Sequence, residues 1–287
     1  MTVSNTPIVV QGLRKDYGDR RVLTGLDLEV ERGEVFSLLG PNGAGKTTTV
    51  EILEGYRKRD GGTATVLGED PSTAGLDWRE RIGVVLQSSS FYDSLTVAEN
   101  LALFAGYYSQ PRPIGDVVEL VGLEEKRDTL VRSLSGGQRR RLDLGLALVG
   151  DPEIVFLDEP TTGFDPEARR RAWQTIASLR DLGKTILLTT HYLEEAERLS
   201  DRVAVLRDGE IVALGPPSEL TSTLPATEIR YRRNGHEVVM QTEEPTKLLH
   251  ELTSEALAAG HELEGLEVRR ASLEDVYLSL TKEEEQE

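Results

Sequence analysis

The 287-residue sequence contains no cysteine, so it offers neither a disulfide framework nor thiol chemistry, and this suits a reducing compartment. No apolar run approaches the roughly 18 residues that would suggest a membrane-spanning helix. The start, MTVSNTPIVV, lacks the basic segment and long apolar core of a secretory leader. Positive charge is scarce: 33 Lys and Arg stand against 50 Asp and Glu, a net charge of −17. That balance repels a phosphate backbone and argues against a nucleic-acid partner. Internal repeats and low-complexity tracts are absent too. The expectation is a soluble, cytoplasmic chain that could reach a membrane only through another protein. The same negative field repels nucleotides, so a nucleotide site here has to concentrate backbone amides, a lysine and a metal ion.

What is present is an ordinary globular composition, 38% apolar and 29% charged, in a chain long enough for about two units. LDLEV at 26–30 alternates apolar and acidic residues, the pattern of a strand with one wet face. VFSLL at 35–39 is nearly continuous, as in a strand covered on both faces. RIGVVLQ ending at Gln87, EIVFLDEP ending at Pro160 and TILLTTH ending at His191 repeat that design, each with polar residues at its carboxyl end. Open parallel α/β sheets bind ligands at those ends. KTTTVEILEGY and PEARRRAWQTIASLRDLG supply crossover helices, and residues 88–150 read as a helical insert. VAVLRDGEIVAL is a hairpin turning at Asp208-Gly209. Pro216-Pro217 and TSTLP mark a boundary near residue 222. Beyond it the pattern predicts a strand over 228–241, a helix over 246–259, a strand over 263–270 and a helix over 273–280.

GPNGAGKTT at 40–48 follows one of these strands and opens a helix, with Gly40, Gly45, Lys46 and Thr47 matching G-x-x-x-x-G-K-[ST]. The glycines let backbone N–H groups turn toward phosphate oxygens, the helix start adds its dipole, and Lys46 brings a point charge. Thr47 is placed to ligate Mg²⁺. Asp158 at its strand end can hold the magnesium through water, and Glu159 can orient or deprotonate an attacking water. The plain alternative is an acidic pair that caps a strand. His191 reads either as a group polarising that water or as a satisfied structural histidine. Gln87 is open in the same way, as a metal and water contact or an ordinary polar strand end. SLSGGQRRRLDLGLALVG at 133–150 is a second glycine-rich helix start. Its Arg139, Arg140 and Arg141 seek an anion or pair with nearby acids such as Asp143.

In order, these pieces resemble the nucleotide-binding subunit of ATP-binding cassette transporters over residues 8–220. The resemblance identifies Tyr17 as the adenine-stacking aromatic, although Tyr17 in KDYGDRR also reads as a turn tyrosine. Gly40, Pro41, Asn42, Gly43, Ala44, Gly45, Lys46, Thr47 and Thr48 form the Walker A loop, and Gln87 the Q-loop. LSGGQ at 134–138 is the signature, IVFLDEP the Walker B strand, TGFD at 162–165 the D-loop, and His191 the switch histidine. Phe164 stands where leucine is commoner in the D-loop. The resemblance implies a P-loop ATPase sheet core with an antiparallel edge β subdomain and a helical insert (domain 1–222), plus a small C-terminal α+β appendage (223–287). It implies ATP and Mg²⁺, and a head-to-tail dimer of two copies. In that dimer Ser135, Gly136, Gly137 and Gln138 of one copy, with Asp165, meet the nucleotide bound by the other.

A separate integral-membrane permease follows from the same resemblance, with the chain peripheral on the inner face of the cell membrane. ELEGLEVRRASLEDVYLSLT resembles the C-terminal extension of daunorubicin-type drug-export ATPases. The segment around Phe91, Tyr92 and Leu95 reads either as a permease groove or as core of the helical insert. A soluble, non-transport cassette ATPase and a nucleotide-dependent regulatory module are the competing functions. The single cassette without a long coiled coil disfavours the first, and Glu159 with His191 disfavours the second. No Asn-Lys-x-Asp guanine motif appears.

Overall fold

Strands written with one wet face and strands written as continuous apolar runs go to different sheets. In the computed structural model, which describes residues 5–85, 91–222, 227–233, 235–270 and 272–282, β1 (Ile8–Tyr17) and β2 (Arg20–Val30) pair antiparallel. Along β2 the residues Leu26, Leu28 and Val30 are buried while Asp27 and Glu29 face water. β3 (Val35–Leu39) is buried at all five positions and runs into α1 (Lys46–Leu53). β4 (Gly61–Val66) returns to the free edge of β1, giving a three-stranded antiparallel sheet in the order β2–β1–β4.

After α2 (Leu76–Arg79), β5 (Ile82–Val85) enters the main sheet. The helical region follows, with α3 (Val97–Ala105), α4 (Ile114–Leu120) and α5 (Gly136–Leu148). TVAE starts α3 as a capping box: Thr96 Oγ1 accepts from the Glu99 amide at 3.2 Å, and Glu99 Oε2 accepts from the Thr96 amide at 2.8 Å. Then come β6 (Ile154–Asp158), α6 (Pro166–Asp181), β7 (Thr185–Thr190), α7 (Leu193–Leu199), β8 (Arg202–Arg207) and β9 (Glu210–Gly215). The main sheet has the order β5–β6–β7–β3–β8–β9, parallel from β5 to β8. Its last hairpin turns at Asp208 and Gly209, both with positive φ, as a two-residue turn of this kind requires.

The continuous apolar runs exist because successive residues of each strand enter different cores. Val155 and Leu157 pack with α3 to α7, whereas Phe156 packs with α1, Trp78 and the three-stranded sheet. Leu187 sits between Ile186 and Leu188 in the same alternation. One run of four apolar residues, Ile154 to Leu157, therefore serves two layers.

The chain divides into residues 1–214 and 215–287. The division falls ahead of Pro216-Pro217, where the sequence suggested a boundary near residue 222, because α8 (Pro217–Ser222) packs with the C-terminal elements. The second unit holds β10 (Thr227–Arg233), β11 (His236–Thr242), α9 (Pro245–Ala258), β12 (Glu264–Arg270) and α10 (Leu273–Lys282). Its sheet has the order β11–β10–β12, antiparallel throughout. The single strand expected over 228–241 is thus a hairpin, broken where Gly235 takes a φ of 78°.

Gly83 shows how closely β5 carries α5: a Cβ there would run into the backbone carbonyl oxygen of Ala147. Gly83→Ala should therefore lower stability by about 1–3 kcal/mol. Urea unfolding measures this, and an unchanged midpoint would show that helix and strand are less tightly packed.

Candidate functional site

The site begins where β3 stops. Gly40 passes so near β8 that a Cβ would strike the Leu206 carbonyl oxygen, and Gly45 takes a left-handed φ of 109° as the residue before α1. No side chain caps α1, so its first-turn amides stay available to an anion. Lys46 is buried, and its ammonium donates to the carbonyl oxygens of Gly40 at 2.8 Å and Pro41 at 3.1 Å. Burial pulls its pKa down, and the Glu159 and Asp158 charges partly restore it. Asn42, Gly43, Thr47 and Thr48 line an open cleft of about 510 Å³ together with Lys46, Tyr17 and Glu159. Ala44 is buried beneath the loop and Pro41 is exposed.

The carboxylates arrive from β6, held one strand away by β7. In register, Asp158 lies opposite Thr189, whose hydroxyl donates to the Asp158 carboxylate. Thr47 Oγ1 donates to the same group, 3.3 and 3.2 Å from its two oxygens. Burial raises the Asp158 pKa, and the Glu159 charge adds to the rise, while the two hydroxyls and Lys46 oppose it. Glu159 adopts a φ of 46°, a left-handed conformation costly for a residue other than glycine. Its amide is held by Thr189, through the carbonyl oxygen at 3.2 Å and the hydroxyl at 3.0 Å. Its side chain lies 3.7 Å from Lys46 Nζ and 3.2 Å from His191 Nδ1, and accepts from Thr162 Oγ1 at 3.2 Å. Gln87 lies outside the described residues.

Thr47 and Asp158 offer hard oxygens to a cation. Among the described residues no group of three or more His, Cys, Asp or Glu could hold a metal by itself. Such a donor set fits Mg²⁺, which takes few protein ligands and completes its shell with phosphate oxygens and water.

The second glycine-rich helix start is built differently. Ser135 caps α5, its hydroxyl accepting from the Gln138 amide at 3.3 Å while Gln138 Oε1 accepts from the Ser135 amide at 2.9 Å. Gly136 and Gly137 line another cleft, of about 540 Å³, with Asp165 and Phe164. Asp165 caps α6 through the Ala168 amide at 2.8 Å. Glu159 lines both clefts and is the one residue they share among those described. The arginines after the signature serve the structure. Arg139 pairs with Asp93 at 3.1 Å, Arg140 with Asp143 at 3.5 Å, and Arg141 donates to the Gly122 carbonyl. Arg140 also donates to the carbonyls of Asp158 at 3.2 Å and Pro160 at 3.3 Å, bracing the end of β6.

Tyr17 ends β1 at the mouth of the first cleft, half exposed, with its hydroxyl 3.4 Å from Thr48 Oγ1 and Arg57 and Lys15 beside its ring. Phe91 packs onto the helical core, as the core reading expected, while Tyr92 beside it is exposed. Sequence reasoning did not single out Arg20 and Val22, which line the nucleotide-side cleft, or Thr189, which donates to the Asp158 carboxylate and accepts from the Glu159 amide. Strand adjacency brings them in, and no local motif signals it.

A parallel sheet whose strand ends collect an uncapped glycine loop, a buried lysine and two carboxylates defines the class of P-loop nucleotide-binding proteins. Residues 23–162 match the ABC transporter family, and residues 216–272 match the C-terminal domain of ABC transporter domain-containing protein-like sequences. The Nod factor export ATP-binding protein I of Ralstonia nicotianae is 41% identical over a 310-residue alignment covering 98% of this chain and 96% of that protein. The daunorubicin/doxorubicin resistance ATP-binding protein DrrA of Streptomyces peucetius is 44% identical over 230 residues, 78% of this chain and 70% of that protein. Among solved structures, an ATP binding subunit of an ABC transporter superposes with a TM-score of 0.71 at 24% identity, covering 96% of this chain and 99% of the other. The cbiO1 protein of Clostridium perfringens, part of the ABC transporter complex cbiONQ, gives 0.69 at 27% identity, covering 76% and 92%. The chain belongs to the ABC transporter family, as an ATP-binding subunit whose hydrolysis of ATP powers a membrane transporter. No described helix is long and apolar enough to cross a membrane, and the family implies a separate membrane component.

At the end of α1, the Glu54 pKa is pushed up to about 8 by burial, with the Asp158 and Glu51 charges adding to it, and its Oε1 is buried without a hydrogen bond among the described residues. A raised carboxyl pKa means that the fold favours the neutral form. The stability this contributes is complete below the ordinary value of 4.5 and is lost as pH climbs to about 8. Glu54→Gln should remove that loss, gaining on the parent by about 2–4 kcal/mol at pH 8 and by much less in acid. Urea unfolding at both ends of the range checks this, and parallel curves would refute it.

Proposed function

We propose that ATP binds in the cleft at the start of α1 and is hydrolysed there with Glu159 as general base. Tyr17 stacks on the adenine, whose face it can cover without base-specific hydrogen bonds. The amides of the Walker A loop and Lys46 hold the phosphates. Thr47, Asp158 and Gln87 would hold Mg²⁺, which when bound neutralises phosphate charge. Glu159 takes a proton from water as the water oxygen attacks the γ-phosphorus and the bond to the β-phosphate oxygen breaks. The products are ADP and phosphate. His191, beside Glu159, contacts the γ-phosphate side and keeps that water in line.

The observation that supports this reading most is the contrast between the helix starts. The α1 start has no cap and opens onto a cleft lined by Lys46 and Glu159, whereas the α5 start is capped by its own side chains and lines a different cleft. The signature of one chain is therefore suited to a nucleotide held by another. Two copies would close head to tail, with Ser135, Gly136, Gly137 and Gln138 on the partner's γ-phosphate and Asp165 at the seam.

The chain would sit at the cytoplasmic face of the membrane, bound to an integral-membrane permease. The exposed side chains of Tyr92, Leu103 and Tyr107 on and beside α3 offer an apolar seat for a short helix of that permease. Export is the direction favoured, since the relatives are named for Nod factor export and for drug resistance. The C-terminal unit is an accessory domain to the cassette.

Glu159→Gln should keep ATP binding and cut hydrolysis by at least about 100-fold. Undiminished phosphate release would reject Glu159 as the base. With ATP, the same variant should sediment as a dimer, and adding Ser135→Arg should return it to a monomer. A Glu159→Gln chain that stays monomeric, or a double variant that still dimerises, would reject the shared site.

A further inference from the structure

Two contacts tie α6 to α7, and together they reach His191. Arg169, in the first turns of α6, lays its guanidinium 4.5 Å from the centre of the Tyr192 ring. Its Nε is buried and makes no hydrogen bond among the described residues, and the guanidinium packs on the ring instead. Tyr192 in turn packs against the His191 imidazole, the ring centres 4.1 Å apart and the planes tilted by 40°. The Tyr192 amide donates to Thr190 Oγ1 at 2.9 Å, which fixes the backbone beneath both rings. One turn along α6, Trp173 donates to Glu195 Oε1 at 2.9 Å, and Thr161 donates to the same oxygen at 2.8 Å. Glu195 is fully buried, so the two helices are clamped at two successive levels.

His191 needs such a clamp. It stands just beyond the end of β7 with its side chain about a third exposed, and its one polar contact among the described residues is with Glu159. An imidazole in that setting has other rotamers open to it, and a ring packed on its face removes them. We propose that Tyr192 is a positioning residue for His191, and that Arg169 couples the Tyr192 ring to α6. The helix capped by Asp165 and the histidine facing Glu159 then move as one body. Since Asp165 lies at the proposed seam between two copies, closure of the seam would set the angle of the imidazole. This inference rests on the catalytic role proposed above for His191.

The test uses the full chain and two readouts. The first is kcat and KM for ATP. The second is the His191 Cε1–H resonance, picked out among the four histidines by its loss in His191→Ala. Tyr192→Leu should lower kcat by roughly five- to tenfold with KM changed by less than about twofold, the size of effect expected for one aromatic contact. It should also move the His191 resonance downfield, because the ring current of Tyr192 is gone. Tyr192→Phe keeps the ring and should keep both the rate and the resonance. Arg169→Ala should shift both readouts in the direction of Tyr192→Leu, and it tests the coupling even if Tyr192→Leu fails to fold. If His191→Ala abolishes hydrolysis while Tyr192→Leu and Arg169→Ala leave kcat unchanged, the positioning role is overturned, whether or not the resonance moves. If His191→Ala hydrolyses ATP at full rate, the catalytic role of His191 is what fails.

Discussion

An ammonium group buried between two backbone carbonyls and two carboxylates is the feature on which the rest of this protein depends. Lys46 is 5% exposed, and a charge so placed is costly unless it is paired and hydrogen-bonded. Gly40 and Pro41 supply the carbonyls, Glu159 and Asp158 the charge. Those partners come from opposite sides of β7, because the sheet order sets β3 and β6 on either side of it. A crossover that placed β6 elsewhere would leave the lysine unpaired and the carboxylates without their threonine donors. Sheet topology and site chemistry are here a single constraint.

The same economy explains why one chain carries two glycine-rich helix starts. A helix N-terminus has amides with no partner inside the helix, and something must satisfy them. At α5 and α6 the protein does so itself, with Ser135, Gln138 and Asp165. At α1 it does not, and Gly45 in a left-handed conformation turns the loop so that the uncapped amides and Lys46 face one cleft. The arginines after the signature look in sequence like a second call for an anion. In the fold they are absorbed by Asp93, Asp143 and backbone carbonyls, so the electropositive start of α5 is largely answered within its own chain. Its glycines remain on a cleft wall, in keeping with a contact from outside.

A residue with a strained backbone stands where the two clefts meet. Glu159 has a left-handed backbone, two bonds from its amide to Thr189, and a side chain shared among Lys46, His191 and Thr162. A residue that lines both clefts and is gripped on every side is well placed to register what occupies either one. Helices α6 and α7, clamped through Arg169, Tyr192, Trp173 and Glu195, connect that point to the capped start of α6.

Much of this was legible in the chain alone. Continuous apolar strands, the GPNGAGKTT loop, LSGGQ, and the polar residues closing each strand are local patterns, and local patterns encode burial, period and turn chemistry directly. They were enough to name the strand ends where ligands collect, and together with the family resemblance they named the fold class and most residues that line the first cleft, Tyr17 among them. Reading failed where the outcome depended on what lies across a gap in sequence. The strand expected over 228–241 bends at Gly235, and Pro216-Pro217 joins the second unit because α8 has a partner in α10. Thr189, Arg20 and Tyr192 carry no motif, and they matter only because β7, β2 and the start of α7 bring them beside Glu159, Gly43 and His191. Periodicity tells a residue which face it occupies, whereas the neighbour on that face is chosen by strand order and helix packing, which only the assembled fold supplies.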